Sequence, residues 1–410
     1  MTLKKDHFII IGIIYYIFAA STFYDGSTVM QISRIVLVGF YAVILLAGSR
    51  IKLNQYSIWL FSFSLLSLVS VFYALNTSIA RSGATTTIVN AVTIFAFLGL
   101  CSEVENHNIR LILTKCLSFV PLILGVYIFG KYGIFCFMNS RYIVEEHYFN
   151  SNTLGLHSAI GFLMGFWILT QKQCAKKIRW IYIAATVINL IFFILTSSRK
   201  AIFLAGLSMV FYYLFQSKTP LKFIGKVLVV AAVVFAVWLA LTKIPFLYEL
   251  GGNRIEQMIS GFMSEYEADG STSFRFLLIE WGLDWFRQKP ILGYGVDNFR
   301  VLVGKMNTWA GLGGTYAHNN FIEIMVNLGV VGMAVYYSMY FVILNKFRLS
   351  LKHKNMMKLL YGSIFIAMII SEFGIVSYTD KYIQVVYAIV WFVMIEPHKE
   401  VNTNARKAIS

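Results

Sequence analysis

Residues 178–215 read IRWIYIAATVINLIFFILTSSRKAIFLAGLSMVFYYLF. Two apolar runs, 178–196 and 201–215, meet at Thr196-Ser197-Ser198-Arg199-Lys200, with no room for a soluble loop between them. A helical bilayer crossing takes about 20 apolar residues, and only helices or closed barrels satisfy every backbone group in lipid. The stretch therefore predicts a helical hairpin in a membrane. Outward from it the pattern repeats, with apolar stretches at 8–24, 30–48, 56–75, 84–101, 111–130, 152–171, 225–242, 321–345, 359–376 and 383–396. The expectation is an all-α polytopic membrane protein of about twelve transmembrane helices, the eighth and twelfth short.

Composition agrees. Of the 410 residues, 58% are apolar or aromatic and 13% are charged, against about 25% charged in a soluble domain. An ordinary soluble enzyme and a disordered chain are both excluded. The net charge of +16 first means cytoplasmic anchoring in a polytopic protein, so nucleic-acid binding is not expected. Arg50, Arg110, Lys172 to Arg179, Lys218 to Lys226, Lys346 to Lys358 and the lysines and arginines of both termini fall on one side. The positive-inside rule makes that side the cytoplasm. The first apolar run follows Lys4 and Lys5 without a small-residue cleavage site, so it is expected to remain as a span. Cys101, Cys116, Cys136 and Cys174 show neither a disulfide framework nor a zinc spacing.

Three regions follow: helices one to nine over 1–242, an extracytoplasmic loop over 243–320, and helices ten to twelve with a tail over 321–410. The long loop is too polar for lipid, yet it is rich in Trp, Phe and Leu. Within it, Ser271-Thr272-Ser273 offers N-caps for a helix ending near Gln288, before Pro290. Phe274, Leu277, Leu278, Trp281, Trp285 and Phe286 give that helix a face to bury. Gly161 and Gly165 form a GxxxG pattern best explained by helix packing.

The informative residues are cations on the outer side. Arg199 and Lys200 oppose the positive-inside trend, and a cation at membrane depth is costly unless paired. They either snorkel or pair with an acid such as Glu145, Glu146 or Glu372, or they bind an anionic group, for which Arg suits phosphate. Arg275, on the loop helix, is a second candidate, and Tyr316-Ala317-His318-Asn319-Asn320-Phe321-Ile322-Glu323 is the third. Asn320 and Glu323 have capping-box spacing. His318 precedes the cap, where the positive helix end favours a neutral imidazole. These residues suggest an extracytoplasmic site for a phosphate-bearing lipid, with one potential base.

Four stretches resemble the bacterial O-antigen polymerase (Wzy-like) and O-antigen ligase (WaaL-like) superfamily: Asn150 to Gly155, Leu195 to Ala201, Ser273 through Pro290 to Phe299, and Ala317 to Glu323 followed by Gly329-Val330-Val331-Gly332. The resemblance implies a GT-C-like, metal-independent, inverting glycosyltransferase without cofactor, placed in the inner (plasma) membrane with both termini cytoplasmic and the active site facing the periplasm or exterior. It implies an undecaprenyl-pyrophosphate-linked glycan as donor and another lipid-linked repeat unit as acceptor, with a chain-length regulator as a further partner. By the same resemblance Arg199 and Arg275 hold pyrophosphate and His318 serves the acceptor. Lys200, Tyr316, Asn319, Asn320, Glu323 and Arg141 are supporting candidates. The paired Arg-x10-Gly pattern of some polymerases is absent at Arg141, Arg199 and Arg275. Polymerase is favoured over ligase from the Ser-Arg-Lys-Ala form and the Ile, Lys and Asn content. A flippase for the lipid-linked repeat is the rival from another class, disfavoured because the unusual charges cluster at one surface rather than at the midplane.

Overall fold

The computed structural model describes residues 2–51, 53–104, 108–133, 151–196, 198–244, 270–306 and 314–395. The helices in that set are α1 (Thr2–Thr22), α2 (Thr28–Leu46), α3 (Gln55–Ser70), α4 (Thr77–Glu103), α5 (Ile109–Tyr132), α6 (Ser151–Thr170) and α7 (Arg179–Leu195). They continue as α8 (Arg199–Phe215), α9 (Pro220–Lys243), α10 (Gly270–Gln288), α11 (Phe299–Met306), α12 (Asn320–Ser350), α13 (Met356–Ser371) and α14 (Lys381–Ile395). No strand occurs among the described residues. Each apolar stretch of the sequence carries a helix. Seven helical segments, in α2 to α7 and α12, have the length and apolarity of a membrane crossing, and α13 and α14 are shorter apolar helices. The chain is a multi-pass membrane protein. Arg141, Glu145 and Glu146 lie outside the described residues.

Glycines set the closest approaches in the bundle. α6 packs against α5, α7 and α8. A Cβ on Gly161 would sit 2.8 Å from the Asn189 amide nitrogen, and one on Gly165 would overlap the Thr186 hydroxyl. The GxxxG pair is thus the α6–α7 contact. One turn earlier, a Cβ on Gly155 would meet Thr196 Oγ1 at 2.6 Å and Ser198 Cβ at 2.8 Å. This draws the start of α8 against α6, where Ser198 Oγ bonds to Asn152 Oδ1 at 2.9 Å. At the other extreme, α2 and α7 have only 28% of their span residues buried. The exposed faces of both helices are largely apolar, as suits contact with lipid.

α12 is two helices joined at Gly329, whose φ of 64° and ψ of −163° break the helical path. A break strands backbone donors and acceptors that lipid cannot satisfy. Segment 290–295 supplies the partners. Tyr294 N–H donates to Val326 O at 3.0 Å and Gly295 N–H to Asn327 O at 2.8 Å. Beyond the break, Val330 N–H donates to Pro290 O at 2.9 Å and Val331 N–H to Ile291 O at 3.3 Å. The same segment reaches the α3–α4 junction, where Leu75 N–H donates to Tyr294 O at 3.0 Å and Val296 N–H to Ser70 Oγ at 3.0 Å. Gly293 and Gly295 have φ of 67° and 93°. Their α-carbons lie against the α12 backbone and Ala74, leaving no room for a side chain.

Gly293→Ala and Gly329→Ala should therefore each cost roughly 1–3 kcal/mol through left-handed strain, and more where the new Cβ overlaps the facing backbone. Gly39→Ala, in a helix with open space around it, should be neutral or slightly stabilising. Thermal unfolding in detergent micelles checks the contrast; equal melting temperatures in all three would refute it.

Candidate active site

A second apolar cluster is built on the first half of α12. From α10, Leu278 and Trp285 are buried with Tyr294, Phe299, Leu302, Val303, Ala317, Ile322 and Val326, and Phe274, Trp281 and Phe286 pack at the margin. Leu277, expected on that face, is instead 37% exposed. α10 also begins at Gly270, so Ser271 to Ser273 lie in its first turn rather than capping it. Gly282 lets α10 close on Ile322. The outcome is that Arg275, half-buried on the second turn, is held near the entry to α12.

That entry differs from the capping box expected. Asn319, not Asn320, is the N-cap, its Oδ1 accepting from Phe321 N–H at 3.0 Å and Ile322 N–H at 3.2 Å. Glu323 is buried, and its Oε2 accepts from Ala317 N–H at 2.6 Å while Oε1 accepts from Asn327 Nδ2 at 3.0 Å. Glu323 thus clamps the residue before His318, which adopts a left-handed φ of 55°. A box partner reaches back to the cap residue itself; here the strained turn displaces that geometry by two residues.

Asn320 is also structural. Its Nδ2 donates to Tyr337 Oη at 3.0 Å and Glu372 Oε2 at 3.2 Å, and its Oδ1 accepts from Ser377 N–H at 3.0 Å. Glu372 in turn accepts from the hydroxyls of Tyr337, Tyr340, Tyr387 and Ser377. Of the acids offered as partners for Arg199 and Lys200, Glu372 is therefore engaged by neutral donors in the core.

His318 is half-buried beside Tyr316, with ring centroids 4.1 Å apart. Its Nδ1 is buried without a hydrogen-bond partner among the described residues. Burial, followed by the positive charges of Lys200 and Arg275, lowers its pKa from 6.5 to about 4. Desolvation and the two cations both favour the neutral imidazole expected from the sequence. Burial also raises Tyr316, against the opposing charge of Arg275.

Next to this group opens a cleft of about 250 Å³. Lys200, Tyr316 and Glu323 line it, together with Asn152, His157, Asp297, Arg300, Tyr378 and Asp380. Arg199, the first residue of α8, is exposed and is not among the lining residues, and neither are Arg275 and His318. Arg300 pairs with Asp297 at 2.8 Å, one turn apart at the start of α11. Burial raises the Asp297 carboxyl and Arg300 opposes that shift; burial likewise raises Asp380. Asp297 and Arg300 flank a helix start and were accessible as an i,i+3 pair. His157, alone in an apolar helix, and Asp380, in a short turn, carry no sequence signal of their own. Among the described residues, no group of three or more His, Cys, Asp or Glu is placed to hold a metal ion.

Residues 184–337 match the family model described as O-antigen ligase. No curated protein matches the chain. The matched segment contains Arg199, Lys200, Arg275, Asp297, Arg300, Tyr316, His318 and Glu323, whereas Asn152, His157 and Asp380 lie outside it.

Because a neighbouring cation disfavours imidazolium, His318 should stay neutral at pH 7 and take up a proton only as pH falls through about 4. Lys200→Met or Arg275→Met should move that titration upward, toward 6.5. Histidine-labelled protein in micelles, followed by NMR against pH, reads the shift. An unchanged midpoint in both variants would remove the two cations as its cause.

Proposed function

We propose, from the match of residues 184–337 to the O-antigen ligase family model, that this protein is a membrane glycosyltransferase that extends a surface polysaccharide. The donor is a glycan on undecaprenyl pyrophosphate and the acceptor is a sugar hydroxyl of another lipid-linked repeat. The observation that carries this is an imidazole with an unpartnered Nδ1, kept neutral by burial and by Lys200 and Arg275, beside Tyr316, which lines a polar cleft.

The acceptor oxygen attacks the anomeric carbon and its proton passes to His318 Nδ1. The bond from that carbon to the phosphate oxygen breaks, its electron pair leaving with the lipid pyrophosphate, and the anomeric centre inverts. Arg275, Lys200 and Arg199 meet the charge that develops on the leaving group. The partial burial of Lys200 and Arg275 strengthens that attraction. Arg275 adds a planar fork suited to bidentate phosphate contacts. A neutral His318 accepts a proton at pH 7, help typically worth about 10²–10⁴-fold in rate.

The chain is read as a GT-C-like bundle of about twelve crossings in a bacterial inner (plasma) membrane, with both termini cytoplasmic. The units are residues 1–242, the extracytoplasmic loop 243–320, and 321–410. Lys305 and Gln173, both exposed, lie on opposite sides in this arrangement. Cysteines placed there, in a background lacking the native four, should label from outside and only after permeabilisation, respectively. The reverse pattern would invert the orientation.

With purified protein and lipid-linked repeats from the host, His318→Ala should remove most chain growth while donor binding persists. Arg275→Ala should abolish growth, and Arg275→Lys should restore part of it. Near-normal rates in His318→Ala would remove the base. Transfer to lipid A core but not to a second repeat would make the enzyme a ligase.

A further inference from the structure

We infer that the cleft lined by His157 on α6 holds a subsite that reads hydroxyl groups of the acceptor glycan. This rests on the glycosyl-transfer function proposed above. His157 lies six residues into α6, about 9 Å along the axis from its start. It is 2% exposed and lines the cleft. Its Nδ1 bonds to Ser21 Oγ at 3.0 Å, and its ring lies 3.8 Å from that of Tyr382. Two contacts therefore fix the ring's position, but Nε2 has no hydrogen-bond partner among the described residues. The Tyr382 hydroxyl beside it is also buried and unpartnered. Buried polar groups are normally satisfied, because each one left unpaired costs part of the folding free energy. Of these two adjacent exceptions, His157 borders an open cleft, which indicates that a polar partner arrives from there.

The surrounding charges select that partner. Lys200, which lines the cleft, lies within the influence of Arg275, and this cationic pair suits pyrophosphate. Two further cations are already matched: Arg300 is paired with Asp297 at 2.8 Å, and Lys381, whose charge reaches His157, stands near Asp25 and Asp380. Asp297, Glu323 and Asp380 add three carboxyl groups, which offer a phosphate no counter-charge. Carboxyl groups, the Asn152 amide and an imidazole nitrogen are instead the partners of a neutral polyol, able to accept from or donate to its hydroxyls. Tyr316 and Tyr378 supply aromatic surface of the kind that combines with a few polar groups in small-molecule sites.

The test measures binding of each half of the substrate separately, in purified full-length protein. One probe is the repeat-unit glycan released from the host's carrier lipid by mild acid; the other is sugar-free polyprenyl pyrophosphate. His157→Phe keeps a ring against Tyr382 and removes both nitrogens. It should weaken glycan binding about tenfold or more, the loss expected for one buried hydrogen bond left unmade, with pyrophosphate binding unchanged. His157→Gln, whose amide can reach the Nε2 position, should recover part of the loss. Arg275→Ala should show the opposite pattern, weakening the pyrophosphate probe alone. Unchanged glycan affinity in His157→Phe would mean that solvent alone satisfies Nε2, and a parallel loss of both probes would mean a structural role; either result overturns the subsite. Wild-type protein that binds neither probe and transfers no glycan overturns the proposed function itself.

Discussion

Four backbone hydrogen bonds hold segment 290–295 in the break of α12, and the positions of the other site elements follow from them. A helix broken at Gly329 in a membrane protein exposes peptide groups that only protein can satisfy. Meeting that demand pins the segment to α12 and, through Tyr294 and Val296, to the α3–α4 junction. α10 arrives directly before this anchor and α11 leaves directly after it. The Asn327 side chain closes the unit, accepting from Phe299 N–H at 2.7 Å and donating to Glu323. Arg275, Asp297, His318 and Glu323, spread over almost fifty residues of chain, thereby become one surface.

The same anchoring accounts for the state of His318. Its left-handed backbone is held from both sides, by Glu323 on Ala317 and by the Asn319 cap. Residues in sparsely populated backbone regions persist where surrounding contacts over-determine them, and they concentrate at functional sites. The imidazole is left beside Lys200 and Arg275, where protonation would add a third positive charge to a poorly solvated region. Desolvation and like charge act in the same direction here. Both keep the ring available as a proton acceptor at neutral pH.

Much of this was legible in the sequence, for reasons that depend on the bilayer. Apolar runs of spanning length located the helices, because burial in lipid constrains composition over many consecutive residues. The charge pattern singled out Arg199, Lys200 and Arg275, of which Lys200 lines the cleft. Other features resisted. Asn320 and Glu323 have the spacing of a capping box, but the turn at His318 shifts the cap to Asn319 and frees both side chains for tertiary partners. Leu277 shares the apolar pattern of α10 yet is exposed, since which part of an apolar stripe is covered depends on the neighbour.

The sequence by itself determined the solvent, the helical class and the residue types of the site: local apolarity and charge specify these without reference to distant parts of the chain. Tertiary structure alone decided which polar groups converge. Arg199 and Lys200 are adjacent in sequence, but successive residues on a helix point about 100° apart, and it is Lys200 that lines the cleft. His157 and Asp380 join the cleft from α6 and the α13–α14 turn, more than two hundred residues apart. No local pattern encodes such a meeting, because it arises from helix packing and from the backbone bonds that close the break at Gly329.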